Sequence, residues 1–546
     1  MSRPAPRTPP VFSVRFLLGL TALLLGLAAC ARRESAVESG NHGQILHRGI
    51  GHDLADLDPH LATQAGDYDV LSALFEGLVA EDPVDLHPVP GVAERWEISA
   101  DHLTYTFTLR PDAKWSNGEP VTAQDFLSSW RRILTPELAA DNANLLYIIQ
   151  GAEAFHKAHA PFSQVGVAAP DARTLRVTLE HPAPYFLSML NHPAWFPVPL
   201  ATIQQAGSPT RRGNPWAQPG RFVGNGPFTL AAWRTGQEIV VEKSASYWDA
   251  AHVRLNGIHF HTIDSLDTEE RAFRSGQLHV TAALPPGKIA TYRRNAPQLL
   301  RIDPLLGTYF YRLNVTRPFL NDPRIRRALA LAVDRDALVA RILQGGQLPA
   351  HAFTPPGTAG YTSATGIPTD FAAARRLLAE AGYPGGSGLP PFELLFNSSE
   401  THRAIAEAVQ EMWRRELGVE VRLLNQELTS TLEVRRAGNF QILRSVWNGD
   451  YVDPSSFLDI WRTDSGNNYT GWSSTAYDGL LFEAARTTDP TERNALFQKA
   501  ESLLLDAAPL IPLYHYTHVF LCQPAVKGWY PTLLDHHPYK HVWLEE

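Results

Sequence analysis

The stretch FELLFNSSETHRAIAEAVQEMWRRELGVEVRLL, residues 392–424, decides what kind of fold this chain makes. FELLF reads as a strand, THRAIAEAVQEMWRREL as a helix closed by Gly418, and VEVRLL as a second strand. A strand, a helix and a parallel strand in about thirty residues are the size of one crossover unit. Working outward, TYTFTLR (104–110) and TLRVTLE (174–180) alternate apolar and polar residues at period two, which predicts half-buried strands. GPFTLAAWRTGQEIVVEK (226–243) predicts a hairpin around Gly236. On the C-terminal side, Asp489-Pro490-Thr491-Glu492 offers a cap, a proline at the first helical position and an acid at the third. Leu496, Phe497, Ala500, Leu503 and Leu504 behind it are expected on one helical face. The sequence contains no repeat, so the expected fold is α/β with mixed sheets, in two or three lobes because 546 residues exceed one core.

Composition narrows the function. With 44% hydrophobic and 19% charged residues the chain is a folded globular protein. A net charge of −8 without long like-charge blocks excludes a basic nucleic-acid face. The first residues read as addressing: Arg3, Arg7 and Arg15 precede the apolar run FLLGLTALLLGL, too short to span a bilayer comfortably. Leu27-Ala28-Ala29-Cys30 resembles the bacterial lipobox, which implies a signal peptide over 1–29 and lipidation of Cys30; residues 31–43 then read as a polar tether. The only later thiol, Cys522, sits in an apolar run and is expected to be a buried strand residue. No nucleophile elbow, zinc-protease or P-loop motif is present, so no enzyme activity and no cofactor are expected. Asp535-His536-His537 with His541 carries metal-ligand residue types, but adjacent histidines on an extended chain point opposite ways. It reads as a surface loop, and no metal is expected.

Blocks of sequence in a fixed order carry a family resemblance: LDPH (57–60), LFEGL (74–78), PGVAERWEIS (90–99), TYTFTLRPDAKWSNGEPVTAQDFLSSWRR (104–132), GNGPF (224–228), YWD (247–249), GTYFYRLN (307–314), FLNDPRIRRAL (319–329), GDYVDP (449–454), SGNNYTGW (465–472) and LIPLYHY (510–516). With them the chain resembles the bacterial oligopeptide-binding proteins, solute-binding components of peptide ABC transporters in solute-binding protein family 5. The resemblance implies a three-lobe periplasmic binding protein-like fold of type II, cluster C, that hinges closed on a peptide. It places lobe I at 44–75, 200–306 and 518–546, lobe II at 76–199, and lobe III at 307–517. A periplasmic or cell-surface lipoprotein, monomeric, with an ABC permease as partner, is the corresponding expectation.

The same resemblance assigns roles. Asp450 of GDYVDP stands where the family accepts the peptide's α-amino group; the competing roles are an ion pair with Arg444 or a turn cap with Tyr451. The strand Ser445-Val446-Trp447 is expected to take the ligand as an added strand through main-chain groups, with Trp447 walling a pocket or belonging to the core. Thr63, Gln64 and Ala65 fall where similar proteins pair the ligand's other edge. For the ligand carboxylate the family uses Arg or His from lobe III, here Arg435, Arg444 and His402; Arg435 could equally be a solvated helix-end arginine and His402 a capping residue. Tyr516 is expected to hydrogen-bond near the ligand or to serve as core.

Departures from familiar members bear on the pocket. Arg312 replaces an acid, Leu428 a tryptophan and Asn142 a pocket tyrosine, while Gly307 and Asn448 replace a cysteine pair found in some members. Another solute on the same scaffold (a murein peptide, dipeptide, nickel chelate or haem) and, further off, a secreted hydrolase are the alternatives.

Overall fold

The computed structural model describes residues 34–62, 65–449, 451–463 and 465–546. Three sheets organise it. The first has four strands in the order Ile45–Gly49, Gly257–His261, Glu238–Lys243, Phe228–Arg234; its outer pair is parallel and the others antiparallel. The predicted hairpin forms its edge, with Gly236 at φ +70° in the turn. The second sheet is antiparallel, in the order Ala93–Ile98, Thr104–Leu109, Thr174–Thr178, Val167–Ala168. The third has six strands: Leu348–Pro349, Leu510–Leu521, Leu300–Leu313, Ile442–Asn448, Phe392–Asn397 and Val421–Gln426. In it Phe392–Asn397 and Val421–Gln426 run parallel in register from Phe392↔Val421, joined by the helix Glu400–Leu417. Ser399 caps that helix and Gly418, at φ +65°, ends it, as the crossover reading predicts.

Apolar side chains gather accordingly. One continuous core joins the first and second sheets, running from Leu46 through Phe107, Trp130 and Trp216 to Leu544. The third sheet has a core on each face, one around Tyr309, Trp413 and Leu513, the other around Phe310, Phe353 and Trp461. The molecule is therefore a two-sheet body facing a one-sheet body. Two strands, Leu300–Leu313 and Leu510–Leu521, cross between them side by side. Their pairing runs from Leu300↔Leu521 to Pro304↔Thr517, breaks, and resumes at Thr308↔His515. The break falls between Pro304 and Thr308 on the first strand and between His515 and Thr517 on the second.

Several recurrent blocks are joints of this architecture. Asp58 of LDPH accepts Arg132 Nη1 at 3.0 Å and Nη2 at 2.6 Å and Trp216 Nε1 at 3.2 Å; both charged side chains are 2% exposed. The arginine holds the Asp58 carboxyl below its usual range although burial pushes it up. Glu76 of LFEGL accepts the Tyr247 hydroxyl and, at 2.7 Å, Trp248 Nε1, both of YWD; its backbone exchanges two bonds with the Asn225 side chain of GNGPF.

Four expectations are corrected. The tether over 31–43 is not extended throughout: Ala36–Gly43 is a helix, because Ser35 and Glu38 form a capping box, and Gln44 Nε2 after it bonds Leu544 O at 2.7 Å. In the helix Pro490–Ala507, capped by Asp489, Leu503 is 38% exposed and Leu505 takes its place in the core. Asp535-His536-His537 is no surface loop. Asp535 pairs with His518 Nδ1 at 2.9 Å and His537 Nε2 at 3.1 Å, while His536 turns the opposite way to Glu81 at 3.0 Å. Arg312 does not recolour an open pocket, since it is 1% exposed, donates to Asn468 O at 2.8 Å, and lies against Phe310, Trp461 and Tyr469. Cys522 is buried, as expected, and burial pushes its thiol up to about 12.

Candidate functional site

The strand Ile442–Asn448 begins in the middle of the third sheet and finishes at its rim. On one side it pairs with Leu300–Leu313 all the way, from Leu313↔Ile442 to Gly307↔Asn448. On the other side its ladder to Phe392–Asn397 covers only Leu394↔Ile442 and Leu395↔Leu443. From Arg444 to Asn448, then, one backbone edge has no strand partner among the described residues. Such an edge accepts an extended chain through groups every peptide shares.

Side chains alternate across this strand. Arg444 and Val446 share a face with Tyr309 and Tyr514, which stack at 4.8 Å. The Arg444 guanidinium lies 4.7 Å from the centre of the Tyr309 ring and donates to Asn397 Oδ1 at 3.2 Å and to Tyr516 Oη at 3.3 Å. Tyr516 is half-buried with its ring 5.1 Å from Tyr514. His402, in the first turn of the helix Glu400–Leu417, brings Nδ1 to 3.5 Å from the Tyr309 hydroxyl. Burial, and then the charge of Arg444, hold His402 down at about 4, so it is neutral at neutral pH. His402 thus stands as a neutral hydrogen-bonding group beside the Arg444 guanidinium.

Ser445 and Trp447 occupy the opposite face. Ser445 is buried, with Oγ 3.5 Å from Leu443 O, so any contact it makes with a ligand runs through its main chain. Trp447 is half-buried, donates from Nε1 to Ser456 O at 2.6 Å and packs on the core around Phe353 and Phe457. Val446 is half-buried. Gly307 and Asn448 face each other across the strands, and an added Cβ at Gly307 would sit 2.5 Å from Asn448 Oδ1, so the residues standing in for the family's cysteine pair are indeed neighbours.

Arg435, on the helix Leu428–Arg436, is half-buried over the Tyr469 ring at 4.8 Å, and its Nε has no partner among the described residues. A freely solvated arginine it is not. Tyr469 holds a left-handed backbone (φ +53°), an uncommon conformation for an aromatic residue. Leu428 is 49% exposed, and Asn142 donates to Ala62 O at 2.8 Å. Ala65 opens the helix Ala65–Leu74; Thr63, Gln64, Asp450 and Cys30 lie outside the described residues. Next to Asp450, Gly449 N bonds Leu306 O at 2.8 Å, and Tyr451 stacks at 4.6 Å on Tyr185 of the two-sheet body. Asp453 of the same block forms a buried pair with Arg493.

Tyr309, Tyr514, Asn397, Tyr469 and Tyr185 were not singled out from sequence. All but Tyr185 sit in quoted stretches, and for Tyr309 and Tyr514 the Tyr-x-Tyr spacing of GTYFYRLN and LYHY, which puts both tyrosines of each pair on one face, was the available signal.

A two-body α/β chain with a free strand edge at the rim of one body has the form of a hinged solute-binding protein. Residues 87–469 match the family described as bacterial extracellular solute-binding proteins, family 5. The periplasmic oligopeptide-binding protein OppA of Escherichia coli K12 is 37% identical over 521 residues, 93% of this chain and 94% of that one. The murein tripeptide-binding protein MppA in its unliganded open form overlays with a TM-score of 0.83 at 34% identity, covering 92% of this chain and 97% of that one. Haemophilus influenzae OppA in complex with RPPGFSPFR overlays with a TM-score of 0.69 at 30% identity, covering 92% and 99%. The chain belongs to the family 5 extracellular solute-binding proteins. Among the described residues no helix is long and apolar enough to cross a membrane.

Proposed function

We propose that this chain captures short peptides between its bodies and hands them to an ABC permease for import, acting as a binding protein and not as an enzyme. The observation that carries the reading is the unpaired edge of Arg444–Asn448, flanked by a wall of Tyr309, Tyr514, Tyr516 and Arg444. A peptide added there as a strand takes backbone bonds from Ser445, Val446 and Trp447 whatever its side chains. Arg444 receives its carboxylate, with Arg435 serving longer ligands, while His402 and Tyr516 supply neutral hydrogen bonds. Thr63, Gln64 and Ala65 pair the ligand's other edge from lobe I.

Asp450, by the family pattern, accepts the α-amino group. A carboxylate closed away from water is costly unless a cation meets it, so ligand binding and closure are coupled. Lobe I spans 44–75, 200–306 and 518–546, lobe II 76–199 and lobe III 307–517; the ladder break between Pro304 and Thr308 is the hinge. The better overlay on an open form than on a peptide complex supports a structure with its jaws apart. Lipidated at Cys30, the monomer is held at a membrane surface. Calorimetry with tripeptides tests the reading: Asp450→Ala should weaken binding by about 2–5 kcal/mol with the fold intact. An unchanged dissociation constant would refute the Asp450 assignment, and no response to any peptide would refute the function.

A further inference from the structure

Away from the cleft, the outward face of the first sheet carries three imidazoles side by side. His47 and His259 are register partners on parallel strands, and His261 follows two residues on, so all three project to one side. Their backbone neighbours Leu46, Ile258 and Phe260 are fully buried on the other side, which makes the sheet beneath a rigid mount. His47 Nδ1 stands 3.1 Å from His261 Nε2, and the ring centres of His47 and His259 are 4.9 Å apart. One nitrogen from each of the three lies within 4.8 Å of the others. Two imidazole nitrogens sharing a tetrahedral zinc ion at 2.0–2.1 Å stand about 3.3 Å apart. One pair is already near that separation, and the His259 nitrogen lies within 4.8 Å of both.

The surroundings fit a metal site. Glu238 Oε2 lies 3.2 Å from His259 Nδ1, the carboxylate–histidine arrangement that fixes a ligand's tautomer and leaves Nε2 for the ion. The fourth histidine, His279, is otherwise engaged: Nδ1 accepts from His47 N at 2.9 Å and Nε2 donates to Asn41 Oδ1 at 3.1 Å. The cation facing the group, Arg234, is ion-paired with Glu238. All three histidines are half-buried and so reachable from solvent.

We propose that His47, His259 and His261 form a binding site for one divalent late transition-metal ion, with Glu238 as the outer partner of His259. The site departs from the sequence-based expectation of no metal, because its ligands are about two hundred residues apart in the chain. It does not depend on peptide binding. Titrating the metal-free full-length protein with zinc chloride should give one ion per chain, and cobalt in its place should give the strong visible absorption of a tetrahedral centre. The double variant His47→Asn/His261→Asn should bind zinc at least about a hundredfold more weakly, with unchanged circular dichroism and peptide affinity. His259→Gln serves as a second variant should the double one misfold. No stoichiometric zinc uptake at about 100 µM, uptake undiminished in these variants, or uptake lost instead on His87→Ala, which breaks the exposed Asp82–Asp85–His87 group, would each overturn the proposal.

Discussion

Replacing Arg444 by methionine should erase the chain's preference for a free peptide carboxylate while leaving its fold standing. The guanidinium is half-buried, and its partners among the described residues are neutral: the Tyr309 ring at 4.7 Å, Asn397 Oδ1 at 3.2 Å and Tyr516 Oη at 3.3 Å. Both hydrogen bonds are long, so an arriving carboxylate would find donors that are weakly committed. Removing one partner of a close, desolvated charge pair costs about 2–5 kcal/mol. At about 1.4 kcal/mol per decade that is roughly thirtyfold to a few thousandfold in dissociation constant, and partial exposure of the arginine favours the lower part of the range. Methionine keeps the apolar stem over Tyr309, so the variant should melt close to the parent. The assay is calorimetry of one peptide and its C-terminal amide against both proteins. The parent should bind the acid more tightly by the stated factor, and the variant should bind the two alike. If the variant discriminates acid from amide as well as the parent does, Arg444 does not receive the carboxylate, and the same pair of ligands tried on Arg435→Met shows whether the longer-range cation does.

Asp58→Ala strips the carboxylate from Arg132, both side chains being 2% exposed, and should cost about 3–5 kcal/mol in urea unfolding; a loss below about 1 kcal/mol would mean that water reaches the joint. Stability should fall as pH drops from about 7 to about 5. Burial holds His60 at about 4 and His515 at about 3, so below the unfolded value of 6.5 the unfolded chain takes protons that the folded chain refuses. Each such histidine removes up to about 1.4 kcal/mol per pH unit. His518 works the other way: against burial, Asp535 raises it, and its contribution is lost as pH rises through its folded value. The lowered Asp58 adds its loss only below its unfolded 3.8. Urea midpoints equal at the two pH values would contradict the sign.

Local pattern carried the elements well where one residue sets one geometry. Gly236, Gly418 and Asp489 each stand at the turn, helix end or cap expected of them. Patterns judged by composition alone fared worse. The polar run after residue 31 hid a capping box, and Leu503 lies just off a face that Leu505 joins. The site was legible as a strand at Ser445-Val446-Trp447, yet not as an edge. That the neighbouring ladder stops at Leu443 depends on where Phe392–Asn397 ends, which a sequence does not state. His402 looked cationic on paper and is held down first by burial and then by Arg444, 42 positions later, which the fold brings beside it. The imidazole triad escaped for the same reason, its members meeting only once two distant strands pair.

The ribbon formed by Leu300–Leu313 and Leu510–Leu521 also dictates an order of assembly. The six-stranded body draws nearly all of its chain from one uninterrupted stretch. The other body does not: its core includes Leu46 near the start together with Trp529, Tyr539 and Leu544 near the end. Whatever folds first, the half that contributes the opening strand must wait, incomplete and with apolar surface uncovered, for the last thirty residues to be synthesised and carried back along the second strand.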